Sequence, residues 1–225
     1  MNKGFMLVFD GSNGAGKTTV IKGVVEGCGK SYQSKKLYNN LKKIKVDVLL
    51  TREPGGTPIG EKIREVILDP TTPEMCYMTE LMLFGAGRAQ HIQEKIIPAL
   101  AQGKIVISDR FDAATFSFQH FARGIDLETI VKINDLALAG FSPDLNIILD
   151  LDPKEGLKRV ISRGEGLDRL EDEKSDFLAK ARNGYLKQAE KSPDKFEIIN
   201  AAQSKEAVLS DVISIIDSLL ESRFS

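Results

Sequence analysis

The chain has 225 residues, 42% of them hydrophobic and 28% charged, with a formal net charge of −1. This is the composition of a soluble globular protein, and the balanced charge excludes a global field that would draw it to nucleic acid or to a membrane. Two cysteines, Cys28 and Cys76, make no disulfide framework and fit a reducing compartment.

No apolar run is long enough to cross a bilayer. The short run that ends at Asp10 does not match a secretory signal with its cleavage site, so the expected location is cytoplasmic. Phe5-Met6-Leu7-Val8-Phe9 reads as a buried strand and feeds into Gly11-Ser12-Asn13-Gly14-Ala15-Gly16-Lys17-Thr18-Thr19. Val20, Ile21, Val24 and Val25 can continue as a helix. Strand, Gly-x-x-x-x-Gly-Lys-Thr and helix together are a phosphate-binding P-loop. Its glycines let successive backbone N–H groups point at a polyphosphate, and the helix N-terminus adds partial positive charge. Lys17 is expected to reach the β- and γ-phosphates, and Thr18 to ligate magnesium. Residues 11–19 are therefore the expected nucleotide-binding set.

Lys30 to Lys45 carries six lysines and no acidic residue. It reads either as a nucleic-acid patch or as a solvated insertion, and the balanced total charge favours the insertion. Asp47–Thr51 reads as a second strand, left through the tight turn Arg52-Glu53-Pro54-Gly55-Gly56-Thr57. A helix is expected from Ile59 to Leu68, and a long one from Glu74 to about Ile97, with Pro98 marking a kink or the start of its end. Arg88 lies on that second helix beside Leu81, Met82, Leu83 and Phe84, and needs a partner if its face is buried.

Lys104–Ser108 is a third strand, followed by Asp109-Arg110-Phe111, and a helix is expected over Leu127–Leu138. Leu145–Leu149 is a fourth strand, ending in Asp150-Leu151-Asp152. Beyond a short helix, Ser162–Arg169 is a loop dense in glycine and charge. Helices over 172–191 and 206–220 flank a short fifth strand at Phe196–Ile199. Short apolar strands alternating with helices predict an α/β fold: one domain over residues 1–225, built on a five-stranded parallel sheet with helices on both faces.

In such a sheet ligands bind at the carboxyl ends of the strands, which gathers the P-loop, Arg52, Asp109, Arg110 and Asp150 on one rim. Asp109 is the expected magnesium-organising carboxylate, by analogy with a Walker B acid, and Asp150 is its competitor. Several arginines around one P-loop imply that donor and acceptor are both anionic. A nucleoside monophosphate acceptor is mostly dianionic at neutral pH, with a second pKa of about 6, so its phosphate needs no general base. His91 and His120 are accordingly given no chemistry.

Thr51-Arg52-Glu53-Pro54-Gly55-Gly56-Thr57, Asp109-Arg110-Phe111 and Asp168-Arg169-Leu170-Glu171, in this order behind a P-loop, resemble the bacterial thymidylate kinases over nearly the whole chain. The resemblance implies ATP-dependent, Mg²⁺-dependent phosphorylation of dTMP to dTDP by a homodimer. It implies that Arg52 and Arg110 hold the acceptor phosphate, that Phe84 stacks on thymine, and that Arg88 bonds the base edge with Thr115 nearby. A lid over about 162–171 would close on ATP. No arginine lies among Ser12–Ala15, so the lid, through Arg163 and Arg169, would supply the transition-state charge.

The chain departs from that family in three places. Asn13 replaces an acid that contacts the sugar 3′-hydroxyl, Phe116 and Phe118 replace a glutamine and a tyrosine, and the lysine-rich stretch is longer. Phe118 keeps a ring able to crowd a ribose 2′-hydroxyl. The alternatives to a dTMP kinase are a related deoxynucleoside monophosphate kinase with a different or broader acceptor, and a P-loop regulatory NTPase. A nucleic-acid-binding ATPase using Lys30–Lys45 is a third reading, and nucleic acid is not the expected partner.

Overall fold

A computed structural model describes residues 4–26, 47–162, 169–170, 173 and 175–224. The lysine-rich stretch, Arg163 and most of the expected lid lie outside these residues. Five strands, β1 (Phe5–Gly11), β2 (Val48–Arg52), β3 (Ile105–Asp109), β4 (Leu145–Asp150) and β5 (Phe196–Asn200), form one all-parallel sheet in the order β2-β3-β1-β4-β5. The register sets Phe9 opposite Asp109, Arg52 opposite Asp109, and Gly11 opposite Leu149. The carboxyl ends of β1, β2, β3 and β4 thus share one rim, as the sequence implied.

Strand alternation decides the layers. Phe5, Leu7 and Phe9 face a core completed by Val20, Ile21 and Val24 of α1 (Lys17–Glu26) and by Val212 and Ile216 at the C-terminal end of the chain. Met6 and Val8 face the other way, onto Ile92, Ile96, Val106 and Phe111. β1 is buried along its whole length, so it takes apolar side chains on both faces.

Helix α2 (Pro58–Leu68) begins where Thr57 accepts the Gly60 N–H at 3.0 Å with Pro58 in the first turn, a favourable N-terminal pairing. The long helix begins as α3 (Tyr77–His91) and ends at Ala101, three residues past Pro98. It passes through a π-helical turn, Ile92–Ile96, into α4 (Ile97–Ala101), whose first turn carries the proline. There the missing N–H costs little. A short helix α5 (Asp112–Thr115) leads into a second π-helical segment, Phe116–Ala122. Helices α6 (Leu127–Leu138), α7 (Pro153–Ile161), α8 (Ser175–Lys191) and α9 (Lys205–Phe224) complete the described elements. Their bounds differ from the sequence expectation by a few residues, because caps such as Asp152 on the Lys154 N–H set the ends.

Candidate active site

The P-loop is shaped by contact with α7. Gly14 has φ +76°, and a Cβ there would lie 2.1 Å from the Gly156 carbonyl oxygen; a Cβ on Gly156 would meet the Asn13 carbonyl oxygen at the same distance. Only glycine on both sides permits this approach. Ser12 tightens the junction by donating its hydroxyl to the Leu151 carbonyl at 3.0 Å. Gly11 and Ala15 are part of the loop's backbone frame. Lys17 is buried, with its ammonium 3.3 Å from the Gly11 carbonyl and 3.1 Å from that of Ser12.

A cleft of about 260 Å³ opens beside the loop. Asn13, Gly14, Gly16, Lys17, Thr18 and Thr19 of the P-loop and Asp109 and Arg110 at the end of β3 line it. Arg52, Phe84, Arg88, Thr115 and Phe118 line it as well. The fold therefore brings together most of the residues singled out from sequence, from segments more than 100 positions apart. The Thr18 hydroxyl lies 3.4 Å from Asp109 Oδ2. Among the described residues no group of three or more His, Cys, Asp or Glu could cage a metal. Thr18 and Asp109 instead fit a small hard cation that takes one or two protein oxygens and completes its shell with phosphates and water. Asp150 is not available for this role: Arg182 grips both of its oxygens, at 2.6 and 2.8 Å.

Arg110 is the most constrained cation of the site. Its backbone has φ +70°, a left-handed conformation that a non-glycine residue holds only when its surroundings dictate it. Its Nη1 donates to Asp10 Oδ1 (2.8 Å), the Tyr185 hydroxyl (2.9 Å) and the Gly11 carbonyl (3.1 Å), while Nη2 donates to Asn13 Oδ1. The guanidinium also stacks over Phe118 at 5.2 Å. Asp10 is wholly buried, and that burial pushes its carboxyl up against the opposing pull of Arg110 and of the Tyr185 hydroxyl. Asn13 thus engages Arg110 through its amide oxygen.

Arg88 has the partner its burial demands. It is 2% exposed. Nε donates to Glu53 Oε2 at 2.9 Å, Nη1 to Asn134 Oδ1 at 2.6 Å and Nη2 to the Phe111 carbonyl at 3.1 Å. Those contacts engage three of the five guanidinium N–H groups, and Arg88 also lines the cleft. The other Glu53 oxygen is 3.0 Å from His91 Nδ1, and His91 Nε2 is 2.6 Å from the Thr51 hydroxyl. His91 is therefore a buried brace between Glu53 and Thr51. Arg52 is held by Glu61 at 2.7 Å. The Thr115 hydroxyl is buried without a hydrogen-bond partner at the cleft wall.

Arg169 is not among the residues that line the cleft: its guanidinium is buried against Glu80 Oε2 at 2.5 Å, and its Nε donates to the Ile67 carbonyl at 2.8 Å. Charge decides this, because Glu80 is fully buried on α3 and demands cations. Sequence reasoning also missed Arg64, Gln119 and Leu170, which line the cleft. Arg64, two turns into α2, carried the one legible signal, its place a short helix beyond the Arg52 turn.

The strand order, the P-loop after the first strand, and a cleft shared by phosphate-binding and arginine-bearing walls define a P-loop kinase of the nucleoside monophosphate type. The sequence model of the family described as thymidylate kinase matches residues 21–212. Similar proteins include the thymidylate kinase of Geobacillus sp. (strain WCH70), 42% identical with 98% of this chain and all of that protein covered. That of Lactobacillus helveticus (strain DPC 4571) is 41% identical over 99% of this chain and all of its own length. That of Ectopseudomonas mendocina (strain ymp) is 43% identical over 87% of this chain and 93% of its own length. The chain belongs to the thymidylate kinase family.

Proposed function

We propose that the protein transfers the γ-phosphoryl group of ATP to dTMP, giving dTDP and ADP, within one catalytic domain. The observation that carries this reading is one cleft lined both by Lys17 and Thr18 of the P-loop and by Arg52, Phe84, Arg88 and Arg110. A family whose relatives are named thymidylate kinase supports the acceptor.

The P-loop N–H groups and Lys17 hold the ATP β- and γ-phosphates. Arg110 and Arg52 hold the dTMP phosphate, Phe84 stacks on the base, and Arg88 offers its two remaining N–H groups to the base edge. An oxygen of the dTMP phosphate forms the new P–O bond as the bond from the γ-phosphorus to the β–γ bridging oxygen breaks, and ADP leaves with the electron pair. The acceptor is already ionised at neutral pH, so positioning and charge relief carry the catalysis. A magnesium ion held by Thr18 and Asp109 would neutralise charge on the phosphates. With Arg169 engaged by Glu80, the lid's transition-state cation falls to Arg163, carried over from the sequence.

Phe118, fully apolar and packed beneath Arg110, would disfavour a ribose 2′-hydroxyl. The enzyme is read as a cytoplasmic homodimer. Ile59 and Val66 of α2, Tyr77, Met78 and Met82 of α3, and Leu127, Val131 and Leu136 of α6 are large apolar side chains left exposed on neighbouring helices, a patch of the kind that marks association. Light scattering on purified protein tests it, and a monomer at micromolar concentration would reject it.

The deciding experiment is a panel of monophosphate acceptors with ATP and Mg²⁺, read as ADP formation. dTMP should exceed UMP, dCMP and dGMP, with dUMP a secondary substrate because a pocket discriminates one methyl by only about 1–3 kcal/mol. Faster turnover of another monophosphate would overturn the assignment.

A further inference from the structure

Glu80 is not among the residues that line the cleft, yet its carboxylate accepts four side-chain hydrogen bonds. It is fully buried. Oε1 accepts from Gln119 Nε2 at 2.9 Å and from Arg123 Nε at 3.2 Å; Oε2 accepts from Arg123 Nη2 at 3.1 Å and from Arg169 Nη2 at 2.5 Å. Arg123 is itself fixed between the rings of Tyr77 and Phe177, at 4.7 and 4.5 Å, and pairs through Nη1 with Glu173. Arg169 ties the same cluster to the end of α2 through the Ile67 carbonyl. Burial by itself would raise the Glu80 carboxyl, but the hydrogen bonds from Arg123, Gln119 and Arg169 and the charge of Arg123 outweigh it and hold the carboxyl below its usual range.

Two features aim this cluster at the cleft. Glu80, Phe84 and Arg88 are spaced by four residues and so lie along one face of α3. Gln119, and Leu170 directly after Arg169, line the cleft. An ionised carboxylate can only accept, so it fixes the Gln119 amide with its NH₂ group toward Glu80 and its carbonyl turned away.

We propose that Glu80 is a positioning residue for the acceptor half of the cleft. It holds Gln119 and the Arg169–Leu170 pair as the wall facing Phe84 and Arg88, without touching substrate itself. The proposal rests on the dTMP kinase reading above. Neutralising Glu80 leaves two arginines facing each other in a buried site, and their repulsion drives the 169–170 segment off α3. The donor side is built from β1, α1 and α7, none of which contributes to the cluster. The loss therefore falls on acceptor affinity and spares ATP.

The test is steady-state kinetics of the full chain with dTMP and ATP varied in turn, for wild type, Glu80→Gln, Arg169→Gln and the double variant. Glu80→Gln should raise the KM for dTMP by about tenfold or more, with the KM for ATP and the kcat at saturating dTMP within about threefold of wild type. Arg169→Gln should do the same to a smaller degree, and the double variant should be no worse than Glu80→Gln, because both act through one cluster. The rise in Tm produced by dTMP should shrink while that produced by ATP persists. A lower Tm with an unchanged KM for dTMP would reduce Glu80 to a fold-holding role and overturn the proposal. So would a fall in kcat alone in Arg169→Gln, which would return Arg169 to the transition state. If Glu80→Gln does not fold, Arg169→Gln carries the same test. A wild type that prefers another acceptor fails the dTMP reading instead, and the variants are then scored with that acceptor.

Discussion

Asp112, at the start of α5, provides a stability test that is independent of activity. Its Oδ1 is inaccessible and has no hydrogen-bond partner. Burial pushes its carboxyl from the ordinary 3.8 up to about 6, Glu53 and Asp10 add to the rise, and the Arg88 charge and a backbone hydrogen bond from Ala113 oppose it. The folded protein therefore binds this proton more tightly than the unfolded chain does. The resulting stability is complete below about pH 4 and is lost as pH climbs through about 6.

At about 1.4 kcal/mol for each tenfold change, the full loss is about 3 kcal/mol, of which about 1.5 kcal/mol falls between pH 5 and pH 7.5. Asp112→Asn keeps the shape and removes the titration. Any cost of burying the amide is the same at every pH, so the readout is the pH dependence of the difference between variant and wild type. Urea denaturation at pH 5 and pH 7.5 should show Asp112→Asn gaining about 1.5 kcal/mol on wild type at the higher pH, or about 3–6 °C in Tm for a chain of this size. An equal difference at both values would mean that Asp112 titrates as an ordinary surface carboxyl, and that reasoning from its burial is wrong.

Three further outcomes bear on the site. Lys17→Ala should lower turnover by about 100-fold or more, since it removes a buried cation from the developing phosphoryl charge; turnover near wild type would mean the loop does not hold the donor. Arg110→Ala should raise the KM for dTMP while leaving ATP binding intact, and should also lower Tm, because Asp10 loses its ion-pair partner inside the protein, a change that costs about 3–5 kcal/mol. Unchanged acceptor kinetics would refute that role. Gly156→Ala places a Cβ 2.1 Å from the Asn13 carbonyl oxygen, so the P-loop must move and the KM for ATP should rise. A wild-type KM, measured by coupled ADP release, would show that the loop position is not set by α7.

Much of the fold was legible because the signals are local. The unbroken apolar run of Phe5 to Phe9, the glycine spacing of residues 11–16 and the polar turns that end the strands each depend on neighbours a few positions away. The π-helical turns at 92–96 and 116–122 were not legible, since they arise where a helix is pulled out of its i to i−4 pattern by what it packs on. The site divides in the same manner. Lys17, Thr18, Asp109 and Arg110 sit at strand ends, where the parallel sheet places its ligands, so their residue types and positions were enough to nominate them.

Whether an arginine faces substrate or is consumed by a carboxylate depends on a partner distant in sequence. Arg88 finds Glu53 35 residues earlier, Arg182 takes Asp150 out of contention, and Arg169 finds Glu80 89 residues earlier. The sequence by itself determined the P-loop, the parallel sheet and the rim where phosphates meet, because these follow from backbone geometry and short-range pattern. Only the tertiary structure decided which charges are spent inside the protein and which remain for the cleft. A buried charge must be paired, and the pair is chosen by proximity in space.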